Sequence, residues 1–161
     1  MEYKVASLNQ IDEIIKLKNE AKQRVIKEKL PIWQNGYPLD EMIMEDITNV
    51  EGRVVIIDNE IVAYACFHHA IKEYGTGVFK IDDVYSFGRV MVKTSYLNKH
   101  VGTFLVKSMI DEAKSLNAKG LGILVDSFNI KAVNLYKKFD FEKEGERQFP
   151  FAYLDIYGLY F

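Results

Sequence analysis

The chain has 161 residues, of which 48% are apolar and 13% aromatic, and this supplies the core of one domain over residues 1–161. The formal charge of −2 provides no broad basic surface, so we expect neither a nucleic acid nor an anionic membrane as a partner. Cys66 is the only cysteine, which excludes an internal disulfide and a cysteine-based metal site.

The sequence carries no targeting or membrane signal that we recognise. It does not open with a basic segment and a long apolar run, and no stretch approaches the roughly 18 consecutive apolar residues of a membrane span. A single cysteine also fits a reducing compartment. We therefore expect a cytoplasmic protein.

Apolar periodicity predicts the elements of the N-terminal half. The segment from Pro31 to Pro38 separates two helices, because loop-forming residues stand at both of its ends. Asp58-Asn59-Glu60 connects two runs rich in β-branched and aromatic residues, as in a hairpin. The predicted elements are a strand at residues 3–6, a long or broken helix at 8–29, a helix at 39–48, and strands at 53–57 and 61–69.

The C-terminal half alternates between strand-like and helical patterns. Helical spacing of apolar residues begins at Val101 and ends near Asn117 and Gly120. One strand-helix-strand crossover is parallel and the hairpins on either side are antiparallel, which predicts an α/β fold with a mixed, mostly antiparallel sheet. The predicted elements are a strand at 79–92, a helix from residue 101, a strand at 121–125, a helix at 129–138, and strands at 141–147 and 152–161.

The most informative stretch runs from Arg89 to Leu105, where a strand passes through a tight turn into a helix. Such a junction directs free backbone N–H groups and the positive end of a helix dipole to one point, which suits a phosphate or pyrophosphate. Lys99 and His100 add positive character there. The alternative is an ordinary polar helix start.

This junction resembles the acetyl-CoA-binding motif of the GCN5-related N-acetyltransferase (GNAT) superfamily. The loop of that family usually reads Gln or Arg, two residues, Gly, one residue, then Gly or Ala. Leu97, His100 and Gly102 stand at those three positions here, and only Gly102 matches.

Two further segments carry the same resemblance. Asn129, Ala132, Tyr136 and Phe141 fall in register with the family's Asn, two residues, Ala, three residues, Tyr and a later Gly-Phe pair, with Asp140 in place of the glycine. Residues 33–38 and Asp46-Ile47 are similar to a bacterial subgroup in which this segment lines the acceptor side. The three stretches together span residues 31–142.

The resemblance implies a three-layer α/β/α fold whose sheet splays apart after Val92 to admit acetyl-CoA as co-substrate, without a metal. It assigns the catalytic acid to Tyr136 and places the segment with Trp33 and Tyr37 on the acceptor side, where His68 is a further candidate from its place on the predicted strand. The other interpretation of Trp33 and Tyr37 is that they cover a hydrophobic edge. A backbone N–H near the start of the splay would face the developing oxyanion. The implied acetyl-CoA-binding residues are Val90, Met91, Val92, Leu97, Asn98, Lys99, His100, Val101, Gly102, Thr103, Asn129, Ala132 and Tyr136.

Acetyl transfer to an amine requires a neutral nucleophile, a polarised carbonyl and a proton for the departing thiolate. A tyrosine is protonated at neutral pH and suits the last task, although simple packing is the other interpretation of Tyr136. His68 and His69 are candidate bases, but neighbouring strand residues point to opposite faces, so at most one can face an acceptor channel. A water relay is the alternative.

The predicted function is N-acetylation by acetyl-CoA of an amine whose identity stays open between small amines, amino acids, antibiotics and protein amines. A non-catalytic acyl-CoA sensor or partner-binding protein on the same fold is the rival, motivated by Leu97 and His100. A generic nucleotide-binding domain is disfavoured, because residues 93–102 lack a glycine-rich fingerprint. The aromatic residues between Phe149 and Phe161 serve either the sheet or the face of a possible homodimer.

Overall fold

The computed structural model describes residues 1–161, with seven strands, five α-helices and two short 3₁₀ turns at Leu8–Gln10 and Thr94–Tyr96. No helix combines the length and the apolar character needed to cross a membrane. The strands are β1 (Glu2–Val5), β2 (Gly52–Ile57), β3 (Glu60–His69), β4 (Tyr85–Val92), β5 (Gly120–Val125), β6 (Glu142–Gln148) and β7 (Tyr153–Tyr160). The helices are α1 (Ile11–Lys27), α2 (Asp40–Thr48), α3 (Ala70–Tyr74), α4 (Val101–Ser115) and α5 (Ile130–Lys138).

The strands form one sheet in the order β1-β2-β3-β4-β5-β7-β6. The pairs β1–β2, β2–β3, β5–β7 and β6–β7 are antiparallel, whereas β4 and β5 are parallel. The predicted α/β fold with a mixed, mostly antiparallel sheet is therefore confirmed.

The parallel register joins Tyr85 to Leu121 and Ser86 to Gly122, and it includes no pair at Phe87 or Gly88. The pairing thus ends before Val92, where the sequence placed the splay. Arg89 explains the earlier end, because its φ of 51° interrupts the extended conformation of the strand.

The chain forms two compact units, and the first consists of Met1–Cys66 and Arg89–Leu105. Asp58 and Asn59, with φ of 49° and 63°, form the two-residue turn between β2 and β3. Helices α1 and α2 contribute apolar side chains to the core of this unit. That core consists of Ala6, Ile14, Leu17, Ala21, Ile43, Ile47, Val54, Ile61, Tyr64 and Met91.

The second unit consists of Phe67–Gly88 and Val106–Phe161. Gly122 of β5 admits the ring of Phe79, since a Cβ at this glycine would lie 2.3 Å from a ring carbon. Several of the C-terminal aromatic residues pack within this unit, which supports sheet filling for those residues. The core contains Ala70, Val78, Phe79, Val84, Phe149 and Ile156.

Most predicted elements agree with the structure to within a few residues, and the main difference lies between residues 70 and 84. Helix α3 follows β3 directly, and β4 begins at Tyr85 instead of residue 79. Within the predicted strand, Lys80 donates its N–H to Oε2 of Glu144 at 3.2 Å and to the hydroxyl of Tyr160 at 3.1 Å, and Asp82 accepts from the N–H of Gly77 at 2.7 Å. Such side-chain acceptors compete with a strand ladder for backbone N–H groups, which favours a compact loop over the predicted extended strand.

Candidate active site

The turn before α4 has the backbone of an anion-binding junction. Asn98 and His100 adopt φ of 59° and 64°, and Phe104 donates its N–H to the carbonyl of His100 at 2.9 Å. The N–H groups of Val101, Gly102 and Thr103 precede this first bond of the helix. The helix dipole adds partial positive charge at the same end, and no acidic residue lies in the first turn.

His100 replaces a glycine of the family pattern but keeps a glycine-like backbone. Its φ of 64° lies in the left-handed region, which glycine adopts without strain and which costs other residues about 1–2 kcal/mol. Its side chain is exposed. The departure at this position therefore changes the side chain and leaves the turn intact.

A cationic side chain from α1 holds the end of β4 where the turn begins. Arg24 donates through Nη1 to the carbonyl of Val92 at 3.1 Å and to the hydroxyl of Thr94 at 3.0 Å. Lys99 lies over the ring of Tyr96, with Nζ 5.4 Å from the centroid. No local sequence signal marks Arg24, because 68 residues separate it from Val92.

The kink at Arg89 is held by a buried ion pair with Asp46 of α2. The guanidinium donates through Nε to Oδ2 at 2.9 Å and through Nη2 to Oδ1 at 2.6 Å. Tyr64 of β3 donates its hydroxyl to the same carboxylate at 2.7 Å, and Nη1 of Arg89 lies 3.3 Å from the hydroxyl of Tyr37. Sequence reasoning missed this bidentate arrangement, since it treated Asp46 only as part of a resemblance.

Trp33 and Tyr37 lie on the loop between α1 and α2, in the first unit. Trp33 is half-buried and packs against the core of this unit, with φ of 54°. Lys22 of α1 donates to the carbonyl of Gly36 at 2.7 Å, and the Tyr37-Pro38 peptide is cis. Burial raises the pKa of the Tyr37 hydroxyl. Two cationic side chains therefore hold this loop, Lys22 at the Gly36 carbonyl and Arg89 at the Tyr37 hydroxyl.

Val90 and Val92 are half-buried, whereas Met91 is 1% exposed and belongs to the core of the first unit. Lys93 donates its N–H to the carbonyl of Val62 at 2.8 Å, which fixes the end of β4. For Met91 only the main chain is thus placed to meet a ligand.

Asn129 begins α5 in the second unit. Its Oδ1 accepts a long hydrogen bond of 3.4 Å from the N–H of Ala132, and its own N–H donates to the carbonyl of Asp126 at 3.0 Å. Both Asn129 and Ala132 are half-buried. The side chain is a weak helix cap with amide hydrogens left over.

Asp140 stands at the other position where the family pattern has glycine, just after α5. Its φ is 66°, so the left-handed conformation of a glycine is again retained by another residue. The acidic side chain is exposed at the negative end of the helix dipole, which is unfavourable.

We expect Asp140→Gly to stabilise the protein by about 0.5–1 kcal/mol, because glycine relieves the backbone strain and removes the charge. The added chain entropy of glycine in the unfolded state offsets part of this gain. Thermal or denaturant unfolding measures the difference. Asp140→Asn, which removes only the charge, is the matched control, and a less stable glycine variant would contradict the strain argument.

Tyr136 lies on the inner face of α5 and is 3% exposed. Its ring packs edge-on against Phe87, with centroids 5.4 Å apart, and in a tilted orientation against Phe141 at 6.1 Å. Burial alone raises the pKa of its hydroxyl above the usual range, with no hydrogen bond contributing. The hydroxyl is therefore protonated at neutral pH, as a proton donor must be.

The two candidate bases differ in their surroundings. Nδ1 of His69 accepts from the N–H of Ile71 at 3.4 Å as the cap of α3, and Nε2 lies 3.3 Å from Asp83. Both ring nitrogens of His69 thus have structural partners. His68 is 3% exposed, and its ring lies 5.6 Å from that of Tyr74.

The first unit brings together the turn at residues 97–103, the kinked part of β4, and the loop with Trp33 and Tyr37. The second unit contains Asn129, Ala132, Tyr136 and His68. No group of three or more His, Cys, Asp or Glu side chains is arranged to hold a metal ion.

Comparison with solved structures gives the same fold. A GNAT-family acetyltransferase from Streptococcus agalactiae is 19% identical with a TM-score of 0.85, over 99% of this chain and 95% of that one. The PaiA N-acetyltransferase from Thermoplasma acidophilum, in complex with coenzyme A, is 14% identical with a TM-score of 0.76, over 99% and 98%. A ribosomal-protein-alanine N-acetyltransferase from Brucella melitensis is 17% identical with a TM-score of 0.71, over 98% and 97%.

No curated protein sequence gives a significant match to this chain. The model of the acetyltransferase (GNAT) family matches residues 17–141, which is well over half of the chain. This range contains the turn before α4, the kink of β4 and all of α5, and it ends at Phe141. The chain therefore belongs to the GNAT acetyltransferase family.

Proposed function

We propose that this protein is an N-acetyltransferase that moves the acetyl group of acetyl-CoA to a primary amine. The observation that carries the proposal is the left-handed turn at His100, which leads into the open N-terminus of α4 inside the family match. Acetyl-CoA supplies an activated thioester when bound. The chain itself supplies phosphate contacts, carbonyl polarisation and a proton.

The pyrophosphate would be held at the turn before α4. The N–H groups of Val101, Gly102 and Thr103 point from the helix start, and a pyrophosphate is the kind of anion that such groups and a helix dipole stabilise. Leu97 and Asn98 contribute main chain to the same turn. Lys99 and His100 are exposed and add cationic or hydrogen-bonding side chains at its rim.

The main chain from Arg89 to Val92 would hold the pantetheine arm and polarise the thioester carbonyl. The kink at Arg89 interrupts the regular extended conformation of β4, and on this proposal the N–H and C=O groups of the stretch that neither β3 nor Arg24 engages would meet the ligand. A fixed N–H aimed at a developing oxyanion is among the larger contributions to acyl transfer.

Tyr136 would donate the proton to the departing thiolate, because burial raises the pKa of its hydroxyl and keeps it protonated. The amine must lose its proton before it attacks. His69 is engaged as a cap, so His68 or a water relay is the better candidate for that step. Trp33 and Tyr37 would provide an aromatic wall for the acceptor.

The test is thiol release from acetyl-CoA over a panel of amines. One structural neighbour is a ribosomal-protein-alanine N-acetyltransferase, so the panel includes a peptide with an N-terminal alanine beside small amines, amino acids and aminoglycosides. We expect amine-dependent release with at least one acceptor, and mass spectrometry of the product identifies the acetylated nitrogen. Binding of acetyl-CoA without release on every amine would favour the rival function, a non-catalytic acyl-CoA sensor.

We expect Asn129→Ala to weaken acetyl-CoA binding by about 5–20-fold, since one hydrogen bond to the pantetheine arm is lost and such bonds contribute about 1 kcal/mol or somewhat more. The long cap bond to Ala132 predicts only a small loss of stability. Calorimetry with a melt of the free protein separates the two effects. Unchanged affinity with a lower melting temperature would reduce Asn129 to a helix cap.

A further inference from the structure

Asp46 and Arg89 form a buried ion pair in which both carboxylate oxygens accept hydrogen bonds. The Asp46 side chain is 4% exposed and that of Arg89 is 11% exposed. Oδ1 accepts from Nη2 of Arg89, and Oδ2 accepts from both Nε of Arg89 and the hydroxyl of Tyr64. Both carboxylate oxygens are thus engaged, and the carboxylate cannot rotate without losing these hydrogen bonds.

A buried ion pair is a weak device for stability alone, because desolvation of the two charges consumes most of their attraction. Its advantage lies in fixed geometry. Here the cationic partner is also the residue with φ of 51° in the middle of β4. A non-glycine residue persists in that conformation only where its surroundings over-determine it, and the two-pronged contact with Asp46 does so.

The same guanidinium reaches the acceptor-side loop. Nη1 of Arg89 lies 3.3 Å from the hydroxyl of Tyr37, whose ring stands on the loop fixed by Lys22 at Gly36. Asp46 of α2, the kink of β4 and Tyr37 therefore form one connected group within the first unit. A shift of the carboxylate moves both the main chain after the kink and the hydroxyl of Tyr37.

We propose that Asp46 is a positioning residue for acetyl transfer, which acts through Arg89 to hold the kinked main chain of β4 and the Tyr37 ring in one fixed arrangement. The inference rests on the proposed function, because the arrangement matters to the rate only if the kinked main chain polarises a thioester beside an acceptor wall. Both oxygens of Asp46 are engaged by Arg89 and Tyr64, so Asp46 would act through Arg89 and is not itself a catalytic residue.

The first experiment compares Asp46→Asn with Asp155→Asn. Asp155 is a matched control, since its side chain is 7% exposed and lies 3.4 Å from Lys143. We expect both variants to melt at lower temperature. Only Asp46→Asn should lower the single-turnover rate, by about 10–100-fold, as displaced supporting groups typically do. Its Kd for acetyl-CoA should change by a smaller factor than the rate, because the turn before α4 is untouched and only the pantetheine contacts of β4 are displaced. An equal loss of rate in both variants would overturn the proposal.

The second experiment separates positioning from stability. The double variant Asp46→Asn/Arg89→Gln removes both charges, so no unpaired charge stays buried and the melting temperature should recover. The rate should not recover, because the kink has lost its two-pronged support. Recovery of both quantities would overturn the proposal. Tyr64→Phe removes one bond to Oδ2 without changing charge, and in a folded protein it should lower the rate about 2–10-fold.

The third measurement is independent of turnover. In ¹H–¹⁵N spectra the amide signals of Val90 and Met91 should shift in Asp46→Asn and stay in place in Asp155→Asn. If the wild-type protein acetylates no amine, the proposed function fails while these shifts still report whether Asp46 positions the kink. If transfer occurs and the shifts and rates of Asp46→Asn match the wild type, the positioning role fails alone.

Discussion

Tyr136→Phe is expected to lower the single-turnover rate of acetyl transfer by about 10²–10⁴-fold, the range of a positioned general acid. The Kd for acetyl-CoA should stay nearly unchanged, because the negative charge on sulfur develops only as the thioester breaks. The structure explains why phenylalanine is a clean probe. The Tyr136 ring packs against Phe87 and Phe141, and phenylalanine keeps these ring contacts while it removes only the hydroxyl.

A second buried tyrosine of the same unit provides a control that separates loss of packing from loss of the catalytic proton. Tyr157 of β7 is 4% exposed, so Tyr157→Phe makes the same change in a comparably buried place. We expect this control to keep the wild-type rate. Thermal unfolding of both variants confirms that each is folded at the temperature at which the rates are compared. A wild-type single-turnover rate in folded Tyr136→Phe would remove the tyrosine from the mechanism and make water the proton source.

Gly102→Asp is expected to weaken acetyl-CoA binding by about 10–100-fold, because it places a carboxylate in the first turn of α4, where the pyrophosphate should lie. The loss corresponds to one or two charge-assisted hydrogen bonds replaced by repulsion. The free energy of unfolding of the free protein should increase in the same variant. An acidic side chain near a helix N-terminus stabilises the free helix by about 0.3–1 kcal/mol, so weaker binding could not be blamed on unfolding.

Calorimetry measures the affinity, and Gly102→Ala serves as the control for loss of glycine without added charge. We expect the alanine variant to bind acetyl-CoA within about fivefold of the wild type. Added salt should narrow the difference between the two variants, because repulsion at an exposed helix start is screened. Full affinity in Gly102→Asp would mean that the pyrophosphate lies somewhere other than this turn.

The difference between residues 70 and 84 illustrates a limit of sequence patterns. The apolar and β-branched residues from Phe79 onward fit a strand, yet the structure begins β4 only at Tyr85. The decisive interactions are hydrogen bonds from backbone N–H groups to side-chain acceptors, such as Gly77 to Asp82 and Lys80 to Glu144 and Tyr160. Periodicity counts apolar positions and carries no information on which acceptor captures a given N–H.

The sequence by itself determined the order of the strands and of every helix except α3, and it carried the three segments that resemble the family. Helical spacing after Val101 and strand-like runs on either side fix which faces are apolar, and burial of those faces decides the fold class. The Asn129 to Phe141 block was readable for a similar reason, because Asn129 caps α5, Ala132 and Tyr136 lie on it, and Phe141 follows its end closely. Secondary structure and short motifs can be predicted from the sequence because they depend mainly on residues close together in the chain.

Only the tertiary structure decided how the kink of β4 is held and what environment Tyr136 has. Asp46 and Arg89 lie 43 residues apart, and neither residue carries a local mark of its partner. The left-handed backbone at His100 and Asp140 was equally hidden, because the sequence there shows a histidine and an aspartate where the pattern has glycine. Such features depend on contacts distant in the chain, and these form only when the packed core brings their elements together.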